Sequence, residues 1–195
     1  MKLKYNAPVT LTFALICVII LLLKYLFFPE IVSQYFMVPA HAHFDIKNPF
    51  AYPYLVSHVF GHSDWNHLLS NMSFILLLGP ILEENYGSFM IAIMMFTTAL
   101  VTGVLNVCFS VQPLIGSSGI AFTMILLSSF TNTTRNEIPL SFIVILLLFL
   151  LKDIIQIFET DNIAHFAHLV GGISGSLFGY FMPKPLRSSN NRSGS

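Results

Sequence analysis

The feature that most restricts the fold is a series of six long apolar runs, at about residues 9–28, 67–82, 89–111, 117–130, 138–158 and 163–182. A chain that is 55% hydrophobic and only 9% charged has too little polar surface to cover a water-soluble body of 195 residues. Bilayer hydrocarbon needs about 20 apolar residues per helical span and tolerates no unpaired backbone. The runs are therefore expected to be transmembrane helices and the fold class an all-α membrane protein with six spans. The second and fourth runs are short for full spans, as for helices whose ends meet protein or water instead of lipid.

Six spans put both termini on one side. That side carries Lys2, Lys4, Arg135, Lys184, Arg187 and Arg192, while the other keeps Lys24, Lys47 and Lys152. The imbalance predicts a multi-pass protein of the cell membrane with both termini cytoplasmic. Residues 1–182 are expected to form one membrane domain, and 183–195, rich in Ser, Asn, Pro and Arg, a disordered polar cytoplasmic tail. The first run is read as a retained span, because its apolar core is longer than the roughly 7–15 residues of a signal peptide. Cys17 and Cys108 lie inside separate apolar runs and are read as packing residues. With zero net charge and no basic stripe, nucleic-acid binding has no support.

One connection differs from the rest. Residues 29–66 hold Tyr35, Phe36, Met37, Phe44, Phe50, Tyr52, Tyr54, Phe60 and Trp65 among prolines and histidines. Aromatics of this kind settle at headgroup level, so a long, partly structured first loop in the outer interface is expected.

Polar side chains at bilayer depth are costly, so those present are the candidates for function. Gly116-Ser117-Ser118-Gly119 opens the fourth run. The two glycines permit a tight turn and close backbone approach, and a serine at a helix start sits beside free amides that favour negative charge. Ser118 is the candidate nucleophile and Ser117 its neighbouring rival; a serine in such a position otherwise bonds a backbone carbonyl. On the sixth run, Gly171, Gly175 and Gly179 form a narrow stripe with His168 at its head, and small residues let helices pack closely enough for a histidine to reach a serine on another helix. His168 is the candidate base, with His165 in reserve. His67 and Asn71, four residues apart, share a helix face and offer donors to an oxyanion, or else they bond loop carbonyls.

These strings resemble the rhomboid intramembrane serine proteases. Gly-x-Ser-Gly at 116–119, His-x4-His-Leu-Leu-x-Asn-Met from His62 to Met72, and Ala-His-x2-Gly-x3-Gly-x3-Gly from Ala167 to Gly179 are similar to the family's strings in order and spacing. The resemblance implies a six-transmembrane-helix rhomboid-like bundle and a Ser118–His168 dyad without a carboxylate third member. It also implies an oxyanion site from His67, Asn71 and the Ser118 backbone amide, with Gly116, Gly119, Phe122, Gly171 and Gly175 in support. Phe122 stands where many relatives have tyrosine, so a ring can stack on the imidazole but brings no hydroxyl. Pro53-Tyr54 replaces the family's Trp-Arg, which leaves Glu83, in a Glu-x3-Gly turn ending at Gly87, to find another partner.

The expected reaction is hydrolysis of a peptide bond in or near a substrate's transmembrane segment, through an acyl-enzyme and with no cofactor or metal. Substrates are expected to be membrane proteins whose spans are weakened by Gly, Pro or other weak helix formers, since a carbonyl bonded within a helix cannot be attacked. Two other classes fit less of the sequence. A catalytically inactive relative would bind client helices without needing Ser118 and His168. A metal transporter lined by His58, His62 and His67 would leave the glycine–serine string unexplained.

Overall fold

The computed structural model describes residues 5–130 together with 140, 143, 144, 147 and 148. Three helices are long and apolar enough to cross a membrane: α1 (Pro8–Leu26), α4 (Trp65–Tyr86) and α5 (Ser88–Phe109). Between α1 and α4 lie two short helices, α2 (Ile31–Tyr35) and α3 (Tyr54–Ser57), and after α5 comes the shorter α6 (Ser118–Phe130). The expected fifth run appears only as helical positions Leu140, Ile143, Val144, Leu147 and Leu148. The sixth run and the tail 183–195 fall outside the described residues.

Each helix has a local reason for where it starts and stops. Pro8 suits the first turn of α1, where its missing N–H would be unpaired in any case. Asp64 caps α4, its Oδ1 accepting from the His67 amide at 2.9 Å. α4 is therefore longer than the 67–82 expected. It begins at Trp65 because the cap lies outside the apolar run, and it continues through Glu83-Glu84-Asn85 because Glu83 is buried against α1. It was thus a mistake to read the second run as a short span, whereas α6, with 13 residues, is short as expected. Gly87, at φ 83°, is the one residue between α4 and α5, a backbone conformation that L side chains rarely adopt.

A shared apolar core joins the inward faces, with Phe13, Cys17 and Leu21 of α1, Leu68, Met72 and Ile75 of α4, Ile91, Met94 and Ala99 of α5, and Ile120, Met124 and Leu127 of α6. The outward face of α1 shows the reverse pattern. Leu15, Ile19 and Leu22 are exposed, as a surface in hydrocarbon requires and a surface in water would not tolerate at this extent. Cys17 packs as expected, but Cys108 is exposed, so packing accounts for only one of the two cysteines.

The loop between α1 and α4 is built rather than loose, as its aromatics suggested. Besides α2 and α3 it contains 3-10 turns at His41–His43, Pro49–Ala51 and His58–Phe60. Val38 and Leu114 exchange two backbone hydrogen bonds of 2.9 Å, and the His41 amide donates to the Ser110 carbonyl at 2.8 Å. These bonds fasten the loop to the segment that leads into α6. Gly103 lets α5 approach this loop so closely that an added Cβ would lie 2.3 Å from the Leu55 carbonyl oxygen. Trp65, counted with the loop in the sequence, is the first residue of α4 and stacks on Tyr25 at 6.2 Å between ring centres. Lys24 donates to the Ser63 carbonyl.

Candidate active site

Four elements meet where α6 begins: the end of the first loop, the first two turns of α4, the middle of α5 and the segment 110–117. Gly116 has φ 104°, so the chain turns there in a way that favours glycine. A side chain would be excluded in any case, because a Cβ at Gly116 would lie 2.5 Å from His67 Nε2, 2.7 Å from its Cε1 and 3.5 Å from Asn71 Nδ2. The expectation that His67 and Asn71 share a face is met, and that face is turned onto the Gly116 backbone. Gly119 has a packing role as well: an added Cβ would come 3.2 Å from Thr102 Cγ2 on α5.

The two serines of the string differ sharply. Ser117 is fully buried; its carbonyl accepts from the Ala121 amide at 2.9 Å in the first turn of α6, and its Oγ lies 3.3 Å from His62 Nε2. Ser118 is the first residue of α6 and partly accessible. It borders a cavity of about 10 Å³ shared with His58, Thr102, Leu114 and Gly119, space for about one water molecule. Phe122, one turn further on, is 2% exposed. His168, its alternative His165, and Gly171 and Gly175 lie outside the described residues.

His62 and His58 form the second layer. Asn71 Nδ2 lies 3.3 Å from His62 Nε2, the atom that also faces Ser117. His58 is buried, with Nδ1 3.3 Å from the Tyr54 carbonyl oxygen and Nε2 3.4 Å from Thr102 Oγ1; its own carbonyl accepts from the Gly116 amide at 3.0 Å. Burial pushes both imidazoles down to about 4, and for His62 the nearby His67 acts in the same direction. Both rings are thus neutral at ordinary pH. Asp64 is held below the usual carboxylate range by the His67 amide and the Ser63 hydroxyl that donate to it. Ser63 Oγ is also 3.1 Å from His67 Nδ1, so the ring that touches Gly116 is held from behind.

Among the described residues no group of three or more His, Cys, Asp or Glu is arranged to hold a metal ion. The three histidines of the transporter reading are instead occupied separately, His58 by Tyr54 and Thr102, His62 by Asn71 and Ser117, and His67 by Ser63. A cleft of about 430 Å³ runs between α1 and α5 past Val59 and Phe60, and it is almost wholly apolar and away from Ser118.

From the sequence, Ser117 was only a rival nucleophile and His62 only a ligand in the transporter alternative, and the threonines had no role. Thr98 and Thr102, four apart in an apolar helix, were the available signal: Thr98 lies 3.4 Å from Thr123 of α6, and Thr102 reaches His58. Glu83 was left without a partner, and the structure supplies one. Its Oε1 accepts from the Val9 amide at 3.0 Å, and its Oε2 from the Thr10 amide and hydroxyl at 3.1 and 2.9 Å.

Residues 51–185 match the family model described as a Rhomboid domain, which is more than half of the chain. Among known proteins, the Rhomboid protease GlpG of Haemophilus influenzae is 23% identical over 187 residues, covering 94% of this chain and 95% of that protein. Rhomboid-related protein 1 of Caenorhabditis elegans is 31% identical over 138 residues, 64% of this chain and 38% of the relative. Rhomboid-like protein 11, chloroplastic, of Arabidopsis thaliana is 24% identical over 147 residues, 66% and 52%.

Proposed function

The chain belongs to the Rhomboid family, and on that premise we propose that it is an intramembrane serine endopeptidase with Ser118 as nucleophile and His168 as base. The observation that carries the reading is the turn at Gly116, where the His67 ring and the Asn71 carboxamide press on the backbone immediately before the start of α6. Side-chain polar groups and the backbone amides of a helix start lie together beside Ser118, and amides there favour a developing oxyanion.

In this reading Ser118 Oγ attacks the substrate carbonyl carbon while His168 takes its proton. The negative oxygen accepts from the Ser118 amide and Asn71 Nδ2, and from His67 Nε2 when that ring is doubly protonated, since Nδ1 already donates to the Ser63 hydroxyl that itself donates to Asp64. His168 then protonates the leaving amine, and water hydrolyses the acyl-enzyme. Ser117 is a poor rival, since a fully buried hydroxyl turned toward His62 offers no approach to a substrate. The substrates are membrane proteins whose spans contain weak helix formers near the cut, because only an unravelled segment presents a free carbonyl. Both termini face the cytoplasm, and the histidine-rich loop faces the opposite side with the site beneath it.

The test is cleavage of a membrane-protein substrate carrying a Gly- or Pro-weakened span by purified protein in detergent. Ser118→Ala and His168→Ala should each reduce cleavage to background, while His165→Ala retains it. Equal cleavage by wild type and Ser118→Ala would overturn the proposal. Absence of cleavage by wild type, with retained binding of the substrate span, would point to a client-binding relative.

A further inference from the structure

Two groups on two helices converge on one imidazole nitrogen, Nε2 of His62. His62 is fully buried between the 3-10 turn His58–Phe60 and the cap of α4. The backbone just before it is held at Gly61. The Gly61 amide donates to the His58 carbonyl at 3.1 Å, and Gly61 lies so close to Phe36 that an added Cβ would be 2.3 Å from the Phe36 carbonyl oxygen. From this fixed base the ring reaches Asn71 on α4 and Ser117 at the head of α6, each 3.3 Å from Nε2.

The identities of these partners determine where the protons sit. A carboxamide nitrogen has two hydrogens and no acceptor capacity, so Asn71 Nδ2 donates and His62 Nε2 receives. In that tautomer the ring proton is on Nδ1, which is buried without a hydrogen-bond partner among the described residues, and the Ser117 hydroxyl shares the single Nε2 lone pair with the Asn71 amide. A carboxamide is close to symmetric in shape, and its terminal torsion has two broad, nearly equivalent settings. Without the imidazole, Asn71 could turn its oxygen toward Gly116, and an oxygen there would repel an oxyanion. With it, one Nδ2 hydrogen is committed to His62 and the nitrogen end is held at the Gly116 turn, 3.5 Å from where a Cβ would be.

We propose that His62 is a positioning residue for the oxyanion site: its Nε2 selects the donating end of the Asn71 carboxamide and ties the head of α6 to it through Ser117. The proposal rests on the protease reading for its effect on rate, but the hydrogen-bond arrangement stands independently of it. It gives Ser117 a role as well, that of the second donor to the ring. His62 itself touches no substrate atom and acts only through Asn71 and the α6 start.

The test is a double-mutant cycle on the full chain in detergent, with Ser118→Ala as the inactive control and thermal unfolding measured for each variant. Asn71→Ala should lower kcat by about 10²-fold, as loss of one oxyanion donor does. His62→Ala should lower kcat by about tenfold with KM little changed, and by almost nothing further in the Asn71→Ala background. His62→Gln, whose side-chain oxygen can accept from Asn71, should recover part of the loss, whereas His62→Leu should not. Multiplicative losses in the double variant, or a loss borne by KM, would overturn the proposal. If His62→Ala unfolds, His62→Gln against His62→Leu carries the same comparison. The ring 15N shifts of His62 in the resting protein provide a readout that needs no activity: Nδ1 should be protonated and Nε2 bare. A protonated Nε2 at neutral pH would overturn the proposal even if cleavage is confirmed. No difference between wild type and Ser118→Ala, with the expected ring shifts, would sink the protease reading alone.

Discussion

The two ends of α4 both bury polar groups in an apolar bundle, and they do so in opposite ways. At the C-terminal end, the Glu83 carboxylate takes three hydrogen bonds of 2.9 to 3.1 Å from Val9 and Thr10, satisfying two amides that α1 cannot pair within itself. Gly79 lets the helices close on this junction, since an added Cβ would lie 2.4 Å from the Thr10 side chain. At the N-terminal end, Asn71, His62 and Ser117 are linked at 3.3 Å and His58 and Thr102 at 3.4 Å, all neutral groups sharing donors and acceptors. A carboxylate with short, saturated bonds fastens one helix to another. Neutral groups with longer, shared bonds hold a shape while leaving hydrogens to direct at something else. A buried polar residue in a membrane bundle is thus not a functional residue by itself, and the count of uncommitted donors separates the two cases.

The contrast breaks most easily at the carboxylate. Glu83→Ala should destabilise the protein by about 3 kcal/mol or more, because it strands buried amides, and kcat of the folded fraction should hardly change. Denaturation in mixed micelles, with activity normalised to folded protein, checks both halves. A large kcat loss without lost stability would erase the distinction between the two ends. Gly116→Ala should do the reverse. The backbone strain and the clash with His67 should lower kcat by about 10²-fold, equivalent to roughly 2.7 kcal/mol of barrier, with a smaller effect on unfolding.

Acid should act on the histidine end. His58 and His62 are both lowered to about 4 by burial, whereas in the unfolded chain they titrate near 6.5. The unfolded state therefore binds more protons between these values, so their contribution is complete above about 6.5 and is lost as pH falls toward 4. The loss should be about 1 kcal/mol per histidine by pH 5.5, visible as a falling Tm, and a His58→Gln, His62→Gln variant should flatten that slope. The smallest expected effect is at the cap: Asp64→Ala should cost about 1 kcal/mol, read from thermal unfolding, by removing the bond to the His67 amide.

Much of this was legible along the chain. The apolar runs gave α1, α5 and α6 to within a few residues, and the Gly116–Gly119 string announced the turn at the head of a short helix. His67 and Asn71 shared a face because four residues is close to one helical turn. The errors came where a helix was extended by something distant. α4 was read as ending at Leu82 because Glu83, Glu84 and Asn85 look like a polar boundary, and only burial against α1 makes Glu83 an interior residue.

By itself, then, the sequence determined the apolar surroundings, the positions of α1, α5 and α6 and the list of polar groups worth asking about, because hydropathy and 3.6-residue periodicity are local properties of a chain. The tertiary structure alone decided who meets whom: Glu83 with Thr10 across 73 residues, His62 with Ser117 across 55, and Gly116 under the His67 ring. The reason is physical. Several histidines and hydroxyls have the chemistry to pair, and only the packing of α1, α4, α5 and α6 brings a particular donor within about 3 Å of a particular acceptor.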